Sequence, residues 1–511
     1  MGQTEEMAPT SRRSSVSHRL AMIALTSLVI ASCANRDEAT PAPTAAPATS
    51  TAPAESISEP TSEPTTGPTD GSTSTPEASV ITFGDLESPC GPAPDGVAPT
   101  VLEAEAGGSP DRIRLAAASD KGNIAVPGLN AELYDAAVAF AGWCNEQGGI
   151  AGLPIEIIDA DSKLFEVPAQ MEVVCDNAFA MAGGGFAFDD QEFPRFHECD
   201  MIDFAGFVVT AGKSKSDNMF TPMPNPSDYK DGGWFKWALS VNPEAMQSFG
   251  TVYSDLLTAQ IVEEQYIELI EKIGGIDVDI RIPYSSLGEA NWVPIAQQLK
   301  SRDIRALAFV GVPEVLPQLT KAMDELNYRP DIIMADAGFY ADVLLERGGS
   351  SVEGVFVRTA YSLIEEADRV PAVRDYLDMI DTHRPGGKVS GLGMQGLSAM
   401  FLFATAAKPC VESGELSRAC VLERASTITD WTGGGLHAPA DPGTNTPSPC
   451  YQMIVVKDGG FTRSYPPVPP TESDRALVPT VEITDDGWAC DESTLLRLDG
   501  DYGDTSLGLR P

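Results

Sequence analysis

The sequence predicts an α/β fold of two doubly wound lobes with a ligand cleft between them. Three observations carry this prediction. From Arg112 onward, short apolar strands alternate with amphipathic helices. The alternation runs twice, once on each side of a proline-rich passage at residues 222–228. The connections are short, as α/β units on a parallel sheet require. In open α/β sheets a ligand sits outside the carboxyl ends of the strands, so two such lobes facing each other enclose a cleft.

The first run opens with IRLAAAS (113–119), a buried strand. ELYDAAVAFAGWCNEQGG (132–149) places Leu133, Ala136, Ala137, Phe140 and Cys144 at helical spacing, and Gly148-Gly149 stops the helix. LPIEIIDA (153–160) is a strand, and VPAQMEVVCDNAFA (167–180) a helix running into a strand that ends at MAGGG (181–185). A polar helix then leads to a strand in MIDFAGFVV (201–209). The second run begins with a helix in DYKDGGWFKWALS (228–240). Its strands are SFGTVYS (248–254), DVDIRIPY (277–284), IRALAFVG (304–311), DIIMAD (331–336) and GVFVRTAY (354–361). Between them lie helices at 257–275, 291–302 and 313–328. Long helices at 371–383 and 393–407 follow.

Ahead of these lobes the chain reads as an export signal. Arg12, Arg13 and Arg19 precede an apolar run, Leu20 to Ala31, which is too short to span a bilayer. Ile30-Ala31-Ser32-Cys33 resembles a bacterial lipobox, in which the cysteine thiol takes a diacylglyceryl group and the chain is cut before it. Two acyl chains hold a protein on a membrane, whereas one is marginal. An ordinary signal with a chance cysteine is the plainer alternative. Residues 34–80 are rich in Pro, Thr, Ser and Ala, with one aromatic-free stretch from Ala39 to Ser79 that contains no Lys, Arg or Cys. Such a segment cannot offset its ordering entropy. As a Pro-rich spacer of at most ~3.1 Å per residue it reaches on the order of 100 Å. The expected organisation is therefore a signal at 1–33, a disordered linker at 34–80 and an N-terminal extension at 81–110. One lobe is 111–224 plus 366–427, the other 225–365 plus 428–490, and 491–511 form a C-terminal tail.

Composition narrows the function. The 74 acidic and 34 basic side chains give a net charge of −40, which repels phosphate backbones and excludes nucleic acid as the expected partner. With Cys33 set aside, eight cysteines remain, an even number suited to disulfides in an exported chain. No CxxC occurs and the four histidines are scattered, so no zinc, haem or other cofactor is expected. GFVVTAGKSKS (206–216) departs from a phosphate loop, because five residues separate Gly206 from Gly212 where the motif has four. No G-x-S-x-G elbow is present. The neighbouring acids Asp189-Asp190, Glu365-Glu366 and Asp485-Asp486 read as solvated faces, and Trp234 and Trp237 as core anchors of a helix.

The order of elements over residues 111–460 resembles the type 1 periplasmic binding proteins, specifically the branched-chain amino-acid-binding group of actinobacterial ABC-importer lipoproteins. NEQGGIAGLPIEIIDADSK (145–163), the stretch 286–328, VEGVFVRTAY (352–361) and the stretch 432–461 carry the resemblance. It implies a non-enzymatic, monomeric receptor on the outer face of the cell membrane. That receptor binds a small polar solute, amino-acid-like, an amide or related, and delivers it to an ABC permease. A ligand-sensing receptor without transport and an exported cell-wall enzyme are the other readings; the missing nucleophile and metal patterns argue against the enzyme.

Carried over by position, the family's ligand loops fall on 120–130, 184–186, 210–212, 255–258, Val312 and 336–340. The candidate ligand residues are Asp120, Asn123, Gly184, Gly185, Phe186, Thr210, Ala211, Asp255, Val312, Asp336 and Tyr340. Amino-acid-binding members usually have a hydroxyl residue after the third strand. Here Gly183-Gly184-Gly185-Phe186 stands there, which points away from a standard branched-chain amino acid. Tight strand–helix packing is the other reading of the glycines. Asp336 is placed as the partner of a ligand cation, or as a helix N-cap. The helices bearing Cys175 and Cys199 lie side by side in this fold, which implies a Cys175–Cys199 bridge. Cys410 and Cys420 suit a local closure, and Cys90–Cys490 is expected to tie the ends of the domain; Cys144 and Cys450 stay unassigned.

Overall fold

A run of small apolar residues with no polar alternation needs two covered faces, and the strand at 113–119 has them. The computed structural model describes residues 80–503 and 505. The expected signal, its lipidation site Cys33 and the linker as far as residue 79 lie outside the described residues. In β1 (Ile113–Ser119), Ile113, Leu115 and Ala117 join one core, while Ala116 and Ala118 join another on the opposite face. The chain continues through α1 (Ala131–Glu146), β2 (Ile155–Asp161), α2 (Val167–Asn177), β3 (Ala180–Ala182), α3 (Asp189–Glu198), β4 (Asp203–Phe204) and β5 (Met219–Phe220). These strands form a parallel sheet in the order β2-β1-β3-β4-β5.

The second lobe repeats the plan. It comprises α4 (Gly233–Val241), β6 (Phe249–Ser254), α5 (Leu257–Gly274), β7 (Val278–Tyr284), α6 (Val293–Ser301), β8 (Ala306–Val310), α7 (Leu316–Glu325), β9 (Ile332–Ala335) and β10 (Val355–Thr359). The strand order is β7-β6-β8-β9-β10, again parallel. The chain then returns to the first lobe, where α8 (Pro371–His383) and α9 (Gly391–Glu412) pack on α1. It crosses once more to add β11 (Cys450–Lys457), antiparallel to β10, and its hairpin partner β12 (Gly460–Tyr465). Both sheets therefore reverse direction between their first and third strands, at β1/β3 and at β6/β8. Those are the places where an open α/β sheet leaves a crevice.

Three expectations are corrected. Residues 228–240 do not form one helix. Tyr229–Asp231 is a strand paired antiparallel with Leu495–Arg497, and α4 begins only at Gly233. A partner more than 260 residues away overrides local pattern. Residues 201–209 are strand only at Asp203–Phe204, because the backbone NH groups of Val209 and Thr210 turn away to the Asp189 carboxylate at 2.8 and 3.1 Å. Asp189 is thus buried under the loop it caps and is no solvated acid.

The third correction is the Cys90–Cys490 bridge. Cys90 bonds Cys144 and Cys490 bonds Cys450, while Cys175–Cys199 and Cys410–Cys420 form as expected. Cys90 follows an N-terminal segment that lies on α1, the helix carrying Cys144, whereas Cys450 and Cys490 sit opposite each other in paired strands. Peptide mapping without reduction is expected to recover these four pairs. Replacing Cys90 and Cys144 by serine is expected to cost roughly 2–4 kcal/mol in chemical unfolding, since the bridge closes a long loop.

Candidate functional site

The carboxyl ends of the two sheets face a common cavity of about 730 Å³. Its first-lobe wall comes from Asn130 and Glu132 at the start of α1, Ala187 after β3, Val208 and Val209 after β4, and Ser390 at the cap of α9. Its second-lobe wall comes from Leu256 and Thr258 after β6, Val312 and Glu314 after β8, Asp336 after β9, and Arg358 and Tyr361 at the end of β10. Thr258 Oγ1 donates to the carbonyl of Ala187 at 3.2 Å, so the two walls touch at one rim.

Two sets of polar groups stand out in the cavity. Glu132 and Glu314 approach from opposite lobes, and Ser390 Oγ donates to Glu132 at 3.4 Å. Burial raises the Glu132 carboxyl above its ordinary range; the charge of Lys388, which also lines the cavity, offsets part of that rise and the Glu314 charge adds to it. Glu314 Oε2 is buried with no hydrogen-bond partner among the described residues. The second set is Lys230, Asp231, Tyr266, Asp336 and Arg358. Asp336 accepts from the Tyr266 hydroxyl at 3.2 Å and from the Gly338 NH at 3.0 Å. Burial raises its carboxyl, and the hydrogen bonds and Arg358 offset part of that rise. Arg358 reaches Asp231 at 3.1 Å. Trp234 closes the base of this set, packed edge-on against Tyr266 with ring centroids 4.9 Å apart.

Of the eleven residues expected at the ligand, Val312 and Asp336 line the cavity. Asp336 also accepts from the backbone as an N-cap, as its second reading has it. Asp120 lies below the floor. Its Oδ2 accepts from Asn130 Nδ2 at 3.0 Å and from the Ala187 NH at 2.8 Å, and its other oxygen accepts from Ser162. It therefore orients two lining residues without lining the cavity itself. Asn123 folds its own loop by accepting from the NH groups of Ala125 and Val126.

The glycines bring backbones together. A Cβ on Gly184 would stand 2.1 Å from the Ala118 nitrogen, and one on Gly185 would stand 2.5 Å from Phe207 Cβ. Phe186 is fully buried in the core beneath β1, away from the cavity. Thr210 and Ala211 start a short helix whose entry Asp189 holds. Asp255 accepts from the Ser286 NH at 2.8 Å. Tyr340 donates to Glu365 and packs edge-on against Phe461, off the cavity.

Of the polar groups just described, sequence reading named only Asp336 and missed Glu132, Glu314, Ser390, Lys230, Asp231, Tyr266 and Arg358. Lys230 was hidden in a stretch that reads as helix. Arg358 carried one signal, a lone charge inside the apolar strand VFVRT. Trp237 is a core anchor, packed on Phe356, and Trp234 is both a core residue and part of the cavity base.

Comparison with known proteins agrees with this geometry. A model of the family described as periplasmic binding protein matches residues 119–460, about two thirds of the chain. Among solved structures, the fold superposes on a fatty acid ABC transporter substrate-binding protein from Thermomonospora curvata with a TM-score of 0.61. That match has 14% identity and covers 78% of this chain and 100% of the other. A leucine-binding protein from Thermotoga maritima matches with a TM-score of 0.56 and 16% identity, over 69% of this chain and 97% of that one. The branched-chain amino acid transporter substrate-binding protein from Streptococcus pneumoniae, in complex with isoleucine, matches with a TM-score of 0.55 and 13% identity, over 69% of this chain and 100% of the other. No curated protein matches the sequence. With two lobes of like strand order around a shared cavity, the chain belongs to the type 1 periplasmic binding protein family.

Proposed function

We propose that this chain is the extracytoplasmic solute receptor of an ABC importer, held on the outer face of the cell membrane by lipid on Cys33 and acting as a monomer. The observation that carries the reading is the cavity itself. It lies at the reversal points of both sheets and draws buried polar groups from both lobes. Closure of the lobes on a solute would shift an open–closed equilibrium through the solute's better contacts in the closed state. A small polar solute, amino-acid-like, an amide or related, fits groups of both signs in one cavity. The lipobox-like Ile30-Ala31-Ser32-Cys33 and the Pro/Thr-rich linker support the anchor. Among the described residues no helix is long and apolar enough to cross a membrane.

Protein purified from its native host and then denatured is expected to release one small molecule in near-stoichiometric amount, identified by mass spectrometry. Recovery of no bound molecule, together with chemical turnover of an added one, would sink the receptor reading. Asp336→Asn is expected to weaken binding of the released molecule by roughly 1.5–3 kcal/mol in calorimetry, if the charge accepts its hydrogen bond. Cys33→Ala is expected to move the protein from the membrane fraction to the medium, or to leave it unprocessed.

A further inference from the structure

Lys230 is a cation in an unusual position. It sits at the middle of the strand Tyr229–Asp231, lines the cavity and is only 9% exposed. Its Nζ donates to the side-chain and main-chain carbonyl oxygens of Asn225, which are neutral acceptors. Among the described residues no carboxylate forms an ion pair with it.

The acids nearby are already engaged. Asp231 accepts from Arg358 at 3.1 Å and from Thr494 Oγ1 at 2.8 Å. Asp228 pairs with Lys215 at 2.8 Å and with Arg497 at 3.7 Å. From the paired strand, Arg497 adds a further cation, lying over the Tyr229 ring. From β9 and α5, Asp336 and Tyr266 hydrogen-bond each other and feel the Arg358 charge. Arg358 has spare capacity too: its Nε–H is buried with no acceptor among the described residues. A buried cation without a counter-charge is costly, and so is a buried donor left unmade. One anionic group entering the cavity would relieve both.

We infer that Lys230 and Arg358 form a subsite for a carboxylate of the solute on the second-lobe wall; the inference rests on the reading of the cavity as a solute site. The paired donors Lys230 Nζ and Arg358 Nε would give the carboxylate charge-assisted hydrogen bonds. Glu132 and Glu314 stand elsewhere on the same cavity and offer hydrogen-bond acceptors to the other end of such a solute.

The subsite brings a pH dependence. Burial, and then the Arg358 charge, push the Lys230 ammonium down to about 7. A carboxylate pairs with the protonated form. Its affinity is therefore full below that value and falls as pH rises through it, by about tenfold between pH 6 and pH 8. Binding at pH 8 takes up a proton.

The test needs no knowledge of the natural solute. The whole chain is titrated calorimetrically with acetate, butyrate and hexanoate, each against its primary amide, at pH 6 and pH 8. Carboxylates are expected to bind at least about tenfold more tightly than the matched amides at pH 6, and to lose about tenfold at pH 8. Lys230→Met is expected to erase the preference for the acid. Lys230→Arg is expected to keep it and to flatten the pH profile, because a guanidinium stays charged. That second variant separates lost charge from lost fold. Equal binding of acid and amide, no detectable carboxylate binding, or a retained pH drop in Lys230→Arg would each overturn the subsite. None of these would touch the receptor reading, whose own test is the solute released on denaturation.

Discussion

Gly184→Ala is expected to lower stability by about 3 kcal/mol, at the upper end of what overpacking costs. The added Cβ would stand 2.1 Å from the backbone nitrogen of Ala118 and 2.6 Å from its carbonyl oxygen. The obstacle is a central strand of the first sheet, with no flexible side-chain tip to swing aside. Relief would require β1 to part from the loop after β3, which breaks the bond from the Gly185 NH to the Ala118 carbonyl at 3.0 Å. Urea unfolding measures the loss. Gly91→Ala is the control: nothing lies within 4 Å of its Cβ position, and a change within about 0.5 kcal/mol is expected. Equal midpoints for the two variants would show that the first lobe yields at this contact.

Lys213→Met should be as damaging, through charge. Lys213 is fully buried, with Nζ 2.9 Å from the Glu192 carboxylate and 2.8 Å from that of Asp203. Burial opposes its charge, but the acids around it outweigh burial and hold its ammonium above the ordinary range. Burial raises the carboxyls of Glu192 and Asp203, and Lys213 restrains that rise. Removing one member of such a set leaves uncompensated charge and costs about 3–5 kcal/mol. Without the lysine, Glu192 and Asp203 would stay protonated in the folded chain while titrating normally near pH 4 when unfolded. Folding then takes up protons, so the deficit grows as pH rises above that range. Adding Glu192→Gln and Asp203→Asn should recover part of the loss. Thermal unfolding at pH 5 and pH 8 reads both effects. Asp189, which feels the Lys213 charge, holds the NH of the lining residue Val209, so any solute affinity should fall alongside stability.

How much of this was legible in the sequence follows from the range of the interactions. Most strands of both sheets were readable because parallel strands covered on both faces are short apolar runs, as IRLAAAS and ALAFV show; the two-residue β5, Met219–Phe220, is too short to leave such a run and was not read. Helix ends were readable where glycine stops them, as at Gly275, which adopts φ +62°. Tyr229–Asp231 was not, because its strand state depends on residues 495–497. The loop positions of the cavity were legible as segments: 120–130, 255–258 and 336–340 each contribute to the wall. The particular side chains were harder. A loop residue can point into the cavity or hold the loop's shape; Asp120 and Asp255 do the second through hydrogen bonds to residues 10 to 67 positions away, which no local pattern encodes, and Asn123 does it through a local turn onto Ala125 and Val126. The triple glycine is the clearest instance, since close backbone approach to a ligand and to a neighbouring strand require the same residue. Gly206, facing Gly183 across that contact, was the signal for the second reading.

The pairing of Tyr229–Asp231 with Leu495–Arg497 also sets an order of assembly. A chain leaving an export channel amino end first can complete the parallel sheet of its first lobe, up to β5, early. The strand that carries Lys230 and Asp231 then waits through about 260 further residues for its partner. Only when the Cys450–Cys490 bridge and the stretch just beyond it are in place does that wall acquire its hydrogen-bonding edge. Competence to hold a solute is thereby tied to synthesis of nearly the whole chain, and a product cut short before Leu495 would be a folded first lobe beside an unfinished wall.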